Sequence, residues 1–439
     1  MILLLPQGCF LSESSRMLAI HQRLQGRGAD VVSATHGGSF ATVYDDAGVD
    51  LIRMGSIDLE RQRRLVASVP GMRGAPQDMW SVEELREQVR RELALIERVG
   101  ASVLVTGWTL SALISSRVAG IPLIAEHAGS MLPPLFENDL VPLPSALPSP
   151  VLRLLPKPIA TRALNRRMPH LRIHLNAINQ VCAEYGVEEV PSFPALLMGD
   201  VSLVMDVPEM FGFSREEIDA WRPQHPASYR EGARLAYGGP LFAQLDLPIP
   251  DEVDRFLDKE PVYVAMTSTP AAQVGAVVDR LRELRRPLLV SACGPDADAL
   301  DALAGPDLMV APILPHHRVV PRASLLVGAG GQGTVQAAMT AGVPLLGIPL
   351  QPEQDANVVL AQRRGAALRV GPRRAGTTTV VDAARRLLED PSHRTAAAAM
   401  ARAYAGVDGA AAAADVILRV AGSDPTSPAS LPTSPQELP

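Results

Sequence analysis

Cysteine is scarce in this chain of 439 residues: Cys9, Cys182 and Cys293 are the only three, and they stand far apart. Metal and redox centres need such residues at short, regular spacings. None occurs, so the three read as buried thiols in a reducing compartment. No apolar run approaches the roughly 18 residues that a membrane-spanning helix requires. Met1-Ile2-Leu3-Leu4-Leu5 begins like a signal peptide, but the run stops at Pro6 and lacks a basic lead-in and a small-residue cleavage site. It reads as a buried parallel strand, and a cytoplasmic location is the default. A long basic cluster is also missing and the net charge is −6, so nucleic acid is not an expected partner. What is present is ordinary for a globular chain with a large core, 47% hydrophobic and 20% charged residues. The length exceeds one usual domain and predicts two.

Patterning along the chain alternates β and α. After the first strand, Ser12 is a suitable N-cap, and Met17, Leu18, Ile20, His21 and Leu24 form an apolar stripe ending at Gly26 or Gly28. A strand at 30–34, a turn with His36-Gly37-Gly38, a helix near 40–47 and a strand near 49–53 complete a βαβαβ order, which implies a parallel sheet. A polar helix over 82–99 leads to a strand at 102–106, a helix at 109–119 and a strand at 121–125. Eight prolines between Ser130 and Pro158 exclude regular helix there and mark a lid or an insertion. One helix is expected over 160–185, then strands at 201–205 and 235–237. The Gly/Pro-rich stretch 238–250 is the best boundary, dividing the chain into domains 1–238 and 261–391 with a linker at 239–260. Strands in the second domain are expected near 262–266, 287–291, 308–310, 325–327 and 343–348. A single Ala-rich helix over 392–420 follows, and the Pro/Ser-rich tail 421–439 is expected to be disordered.

The chemistry concentrates between Ser324 and Leu368. Leu325-Leu326-Val327 breaks into Gly328-Ala329-Gly330-Gly331-Gln332-Gly333-Thr334 and then becomes helix-friendly. Glycine lets backbone approach a ligand closely, and amides at a helix N-terminus favour an anion. Such a turn can equally serve only to seat a helix on a strand. Its companion is the polar turn Gln351-Pro352-Glu353-Gln354-Asp355 with Asn357, at the C-terminal end of the next strand, where ligands of open α/β sheets sit. Phosphate donors beside hydrogen-bonding side chains suggest a sugar diphosphate.

In these residues the sequence resembles the nucleotide-sugar donor domain of GT-B glycosyltransferases, in particular their bacterial natural-product branch. Gly330-Gly331-Gln332-Gly333-Thr334, Ala341-Gly342-Val343-Pro344, and Pro349 with Glu353-Gln354 and Asn357 follow that family's pattern in order and spacing, as do Pro261–Ser268 and Leu314-Pro315-His316. The resemblance implies an α/β GT-B fold: two Rossmann-like, doubly wound parallel-sheet domains facing a central cleft, with the C-terminal helix crossing back onto the first domain. It implies that the amides of Gly330, Gly331, Gln332, Gly333 and Thr334, with Ser268, hold the diphosphate. Glu353 and Gln354 would hold sugar hydroxyls, and Leu314 and His316 would line the nucleobase; for His316 a structural role stands equally open. The family's diphosphate-contacting His falls on Ala329, and its Gly before Ser268 is Thr267.

The family's catalytic dyad is absent. Its His, the base at the start of the first helix, falls on Glu13, and its Asp falls near Thr106 to Thr109. Glu13 can serve as the base or only as a helix-capping acid. A base wants a pKa of about 6 to 7, an unperturbed Glu lies at about 4.3, and a helix N-terminus favours the anion. His127, expected in the turn after a strand beside Glu126, is the other candidate for a catalytic or acceptor-binding role; His36 shares that sheet edge, and His21 reads as packed or half-exposed.

The expected function is inverting transfer of a sugar from a UDP- or dTDP-linked donor to a small hydrophobic acceptor, without a cofactor or metal. The alternatives are a GT-B sugar-nucleotide epimerase or hydrolase, and a non-catalytic nucleotide-sugar-binding partner. Acceptor, sugar, base and oligomeric state, a homodimer among the options, are not fixed by the sequence.

Overall fold

The computed structural model describes residues 1–68, 78–127, 129–145, 154–242, 247–266, 269–292 and 298–422. Ser268, Cys293 and the tail from 423 onward lie outside them.

Two all-parallel sheets organise the chain. The first contains β1 (Ile2–Leu5), β2 (Val31–Thr35), β3 (Leu51–Arg53), β4 (Val103–Thr106), β5 (Leu123–His127), β6 (Val201–Val204) and β7 (Arg234–Tyr237), in the order β3-β2-β1-β4-β5-β6-β7. The second contains β8 (Val262–Ala265), β9 (Leu288–Ser291), β10 (Leu308–Ala311), β11 (Leu325–Gly328), β12 (Leu345–Gly347) and β13 (Ala367–Arg369), in the order β10-β9-β8-β11-β12-β13. Parallel strands covered by helices on both faces need no polar side, which is why β1 reads as the unbroken run Ile-Leu-Leu-Leu and is buried throughout. Each sheet reverses its winding once, between β1 and β4 and between β8 and β11. Crevices at the carboxyl ends of such strands are where ligands of this architecture bind.

The C-terminal segment returns to the first sheet. Ala413, Ala414, Val416 and Ile417 join the core formed by Ile2, Leu4, Met17, Ile20 and Leu24. Arg23 and Arg27 of α1 (Leu11–Gly26) pair with Asp408 and Asp415 at its edge. This is the expected crossing, but the segment is two helices and the second of them makes it. Gly406, at φ +75°, separates Pro391–Tyr404, which packs against the second domain, from Gly409–Gly422.

Other expectations need correction for local reasons. The helix expected over 160–185 is broken into Lys157–Arg167 and Asn176–Tyr185, with Pro169 and the left-handed His174 (φ +60°) between them. Proline did not exclude helix at Pro133–Glu137, because both prolines occupy the first turn, where no amide donor is required. The segment read as linker contains a helix at Asp251–Leu257. Strand β13 was missed; only three residues long, it shows no alternation.

Candidate active site between the two sheets

On the donor side, β11 ends at Gly328 and the chain passes through Ala329-Gly330-Gly331 into the helix Gln332–Ala341. Gly330 has φ +86°, and a Cβ there would lie 2.3 Å from Val358 Cγ2, so no other residue fits. Gly331 and Gly333 differ: nothing lies within 4 Å of where their Cβ atoms would stand. One glycine is therefore required by packing and two leave the turn open. Glu353, in the first turn of the helix Pro352–Arg363, accepts hydrogen bonds from the Asn357 side chain and from the Gln332 backbone N–H. Its carboxylate thus occupies the helix N-terminus that was assigned to phosphate. Burial raises its pKa, with Asn357 and Arg16 pulling the other way. Gln354 is turned back into its own loop, its side-chain oxygen accepting from the Leu350 N–H at 2.8 Å. Leu314 is buried. His316 opens the short helix His316–Val319 with its ring edge-on to Tyr263, centroids 5.7 Å apart. Burial first, then His317, pushes its pKa down to about 4, so the imidazole is neutral.

On the acceptor side, Glu13 sits in the first turn of α1 but does not cap it. One carboxylate oxygen accepts from the Gln7 N–H at 2.6 Å and the other from the Trp108 N–H at 3.3 Å. A Cβ at position 107 would be 2.5 Å from Glu13 Oε1, so Gly107 leaves the room this carboxyl fills. The group thereby bridges the loops after β1 and β4, at the winding reversal of the first sheet. The expectation of a helix-stabilised anion is corrected: burial, followed by the nearby Glu126 charge, pushes the Glu13 pKa up to about 8, against the pull of Arg16 and both amides. Thr106 and Thr109, where the family's Asp falls, donate their hydroxyls to the Leu5 carbonyl instead.

His127 is the last residue of β5, in register with Val204, and not in the turn beyond it; it is buried. His36 contacts Glu92 at 2.7 Å, and Glu92 also accepts from Ser111 and Ser115. That cluster is an internal brace of the first domain. His21 is buried against Ser33 and Tyr44.

Three sets of side-chain contacts complete the region. Arg16, one turn beyond Glu13, forms a buried ion pair with Glu126 at 2.8 Å, which places a guanidinium among Glu13, Glu126 and Glu353. Asp355 accepts from the Ser145 amide at 2.7 Å and hydroxyl at 2.6 Å and pairs with Arg369 at 2.8 Å, tying the proline-rich segment to the second domain. Gln332 and Gln336 donate their side-chain amides to the Met205 carbonyl at 2.9 and 2.8 Å, and beside it Asp206 accepts from the Tyr404 hydroxyl. Asp355 and Gln332 lie in motifs visible in the sequence, but their partners do not; for Arg16 the one signal is its spacing from Glu13. Ser130, Asp206, Phe211, Gln332 and Asn357, among others, meet between the domains without leaving room for a water molecule, so the arrangement here is closed. Among the described residues no group of three or more His, Cys, Asp or Glu is placed to hold a metal ion, and no helix is long and apolar enough to cross a membrane.

Residues 267–405 match the model of the UDP-glucoronosyl and UDP-glucosyl transferase family. A PGL/p-HBAD biosynthesis glycosyltransferase of Mycobacterium tuberculosis is 24% identical over 329 residues, 74% of this chain and 72% of that protein. The glycosyltransferase VinC, solved in complex with DTDP, superposes with a TM-score of 0.64 at 17% identity, covering 96% of this chain and 99% of that one. The spinosyn rhamnosyltransferase SpnG gives 0.63 at 14%, covering 95% and 99%; it has also been solved with its aglycone and with thymidine diphosphate. The chain is a glycosyltransferase of GT-B architecture.

Proposed function

We propose that this enzyme transfers a sugar, with inversion, from a nucleoside diphosphate to a hydroxyl of a small hydrophobic acceptor. The observation that carries the reading is the pairing of two winding reversals. One presents open glycine amides and Glu353, and the other presents a buried carboxyl with a pKa near 8. A general base works best with a pKa near the operating pH, and Glu13 has that property where the family has its His. In the reaction, Glu13 takes the proton of the acceptor hydroxyl while the oxygen attacks the anomeric carbon. The bond from that carbon to the β-phosphate oxygen breaks, and the electron pair leaves with the diphosphate. Amides at the start of Gln332–Ala341 point at the charge that develops there, so they act on the transition state more than on bound donor. Glu353 is placed to trade its contact with Gln332 for a sugar hydroxyl when phosphate takes the amide.

VinC with DTDP and SpnG with thymidine diphosphate support a thymidine-linked donor, and the UDP-named family model supports a uridine-linked one. The first experiment is therefore a screen of UDP- and dTDP-sugars against a panel of hydrophobic alcohols and phenols, read by mass spectrometry. A glycosylated product of inverted anomeric configuration is expected. Free sugar or an epimer as the only product would replace this reading with hydrolysis or epimerisation, and no binding of any donor would end it.

A further inference from the structure

One surface belongs to neither winding reversal. Although the chain carries a net charge of −6, the stretch from Leu140 to Ala183 contains no Asp or Glu and six Lys/Arg: Arg153, Lys157, Arg162, Arg166, Arg167 and Arg172. In the same place the fold exposes large aliphatic side chains. Leu154 is 86% exposed, Ile159 55% and Leu155 38%, which makes three of the six exposed large hydrophobics among the described residues. The helix Lys157–Arg167 buries Ala160 and Asn165. Ile159, Arg162 and Arg166, spaced three and four apart, share the opposite face and are exposed, as are Lys157 and Arg167. The helix is firmly seated, because the Asn165 side chain exchanges hydrogen bonds of 2.8 and 3.1 Å with the Val141 backbone. Arg162 has Asp139 at 3.4 Å. Among the described residues no carboxylate pairs with Lys157, Arg166 or Arg167.

We propose that this face docks on an anionic lipid surface. Leu154, Leu155 and Ile159 enter the interface, and the flanking ammonium and guanidinium groups meet the headgroup phosphates; an apolar face edged with Lys and Arg has this signature. Two other occupants fit the chemistry less well. A second copy meeting it by two-fold symmetry would bring Arg162, Arg166 and Arg167 against their own equivalents, a like-charge contact. Single-stranded nucleic acid is held on aromatic platforms, and the exposed apolar side chains here are aliphatic. Because Asn165 ties the helix to the segment that reaches Asp355 through Ser145, docking also brings the cleft close to the bilayer. That consequence rests on the proposed reaction; the docking does not.

The test is co-sedimentation of the full chain with vesicles of phosphatidylcholine alone and of phosphatidylcholine with phosphatidylglycerol. Binding is expected only to the anionic vesicles, with release as salt shortens the Debye length from about 10 Å at 0.1 M to about 3 Å at 1 M. The double variants Leu154→Ser with Ile159→Ser, and Arg166→Glu with Arg167→Glu, change exposed side chains. Each should reduce the bound fraction at least about tenfold, as loss of apolar burial or headgroup attraction requires, with unchanged thermal unfolding. Equal binding to neutral vesicles, no binding to either, or wild-type binding by both double variants would overturn the proposal. So would a dimer in solution that Leu154→Ser with Ile159→Ser converts to monomer without any vesicle binding.

Discussion

The two winding reversals do their work with different parts of the chain. At the reversal between β8 and β11 the groups proposed to hold the donor are main-chain amides beside Glu353, in a turn that packing forces to glycine at Gly330 and that Gly331 and Gly333 leave open. At the reversal between β1 and β4 they are side chains, Glu13 with Arg16 and Glu126, whose properties come from burial and from one another. Backbone chemistry leaves a local signature because glycine must recur at fixed offsets. Side-chain chemistry assembled from α1, β5 and the loop after β4 leaves none, since its members are about a hundred residues apart. Changing a side chain should accordingly do most harm at the first reversal and least at the second.

The largest effect is expected from Glu13→Gln. The amide keeps the size of the carboxyl and removes its basicity, so kcat should fall by about 10² to 10⁴ while isothermal titration with UDP or dTDP shows unchanged affinity. The two hydrogen bonds to the Gln7 and Trp108 amides also suit a purely structural carboxyl. If kcat survives in Glu13→Gln and collapses in His127→Ala, the base is His127; if both remain fully active, the acceptor needs no protein base and the mechanism is wrong.

The same residue gives the comparison a pH signature. A carboxyl whose pKa rises on folding from 4.5 to about 8 keeps its proton in the folded state where the unfolded chain has lost it. Stability from this group is therefore full below pH 4.5 and declines as pH rises towards 8, by at most about 1.4 kcal/mol per pH unit. Denaturant titrations from pH 5 to 8 should show this slope in the parent and a flatter one in Glu13→Gln. In the rate profile, kcat/KM should climb towards pH 8. A limb centred near pH 4 to 5 would mean that Glu13 ionises as an ordinary carboxylate.

How much of this was legible follows the same division. The parallel strands, the β/α alternation and the glycine turn after β11 could be read because their patterns are local. Gln354 was assigned to sugar hydroxyls, yet its side-chain oxygen accepts from Leu350. A hydrogen bond within a loop has no pattern in sequence. The raised pKa of Glu13 was read with the wrong sign because the helix N-terminus was visible and the burial was not. Helix ends at Pro133, Pro169 and Gly406 were misjudged for a related reason: proline and glycine mark a change of direction without saying whether the helix starts, stops or resumes.

A smaller loss is expected at the second reversal. Glu353→Ala removes a charged hydrogen-bond acceptor, worth roughly 1.5 to 3 kcal/mol, so turnover should weaken about tenfold or more. It also frees the Gln332 N–H that Glu353 now occupies. Product-like nucleoside diphosphate, which has no sugar to lose, should therefore bind as well as before or better. Parallel loss of diphosphate affinity and turnover would place Glu353 against phosphate through another group and not against the sugar.

The smallest effect is expected from Ala329→His, which restores the side chain the family carries. Without it, phosphate is held by amides and by the helix dipole, the dipole contributing about 0.3 to 2 kcal/mol. Gln332, the nearest side chain in sequence with a donor to spare, already gives its amide to the Met205 carbonyl, so it does not stand in for the missing imidazole while the domains are closed. A histidine at 329 should then tighten binding of UDP or dTDP by severalfold, one neutral hydrogen bond being worth about 0.5 to 1.5 kcal/mol, and more below pH 6.5, where the ring is charged. Titration calorimetry at pH 6 and 8 separates the two contributions. No gain at either pH would mean that the diphosphate is held elsewhere, with Arg16 across the cleft as the group to replace next, and the donor side would then depend on side chains as much as the acceptor side does.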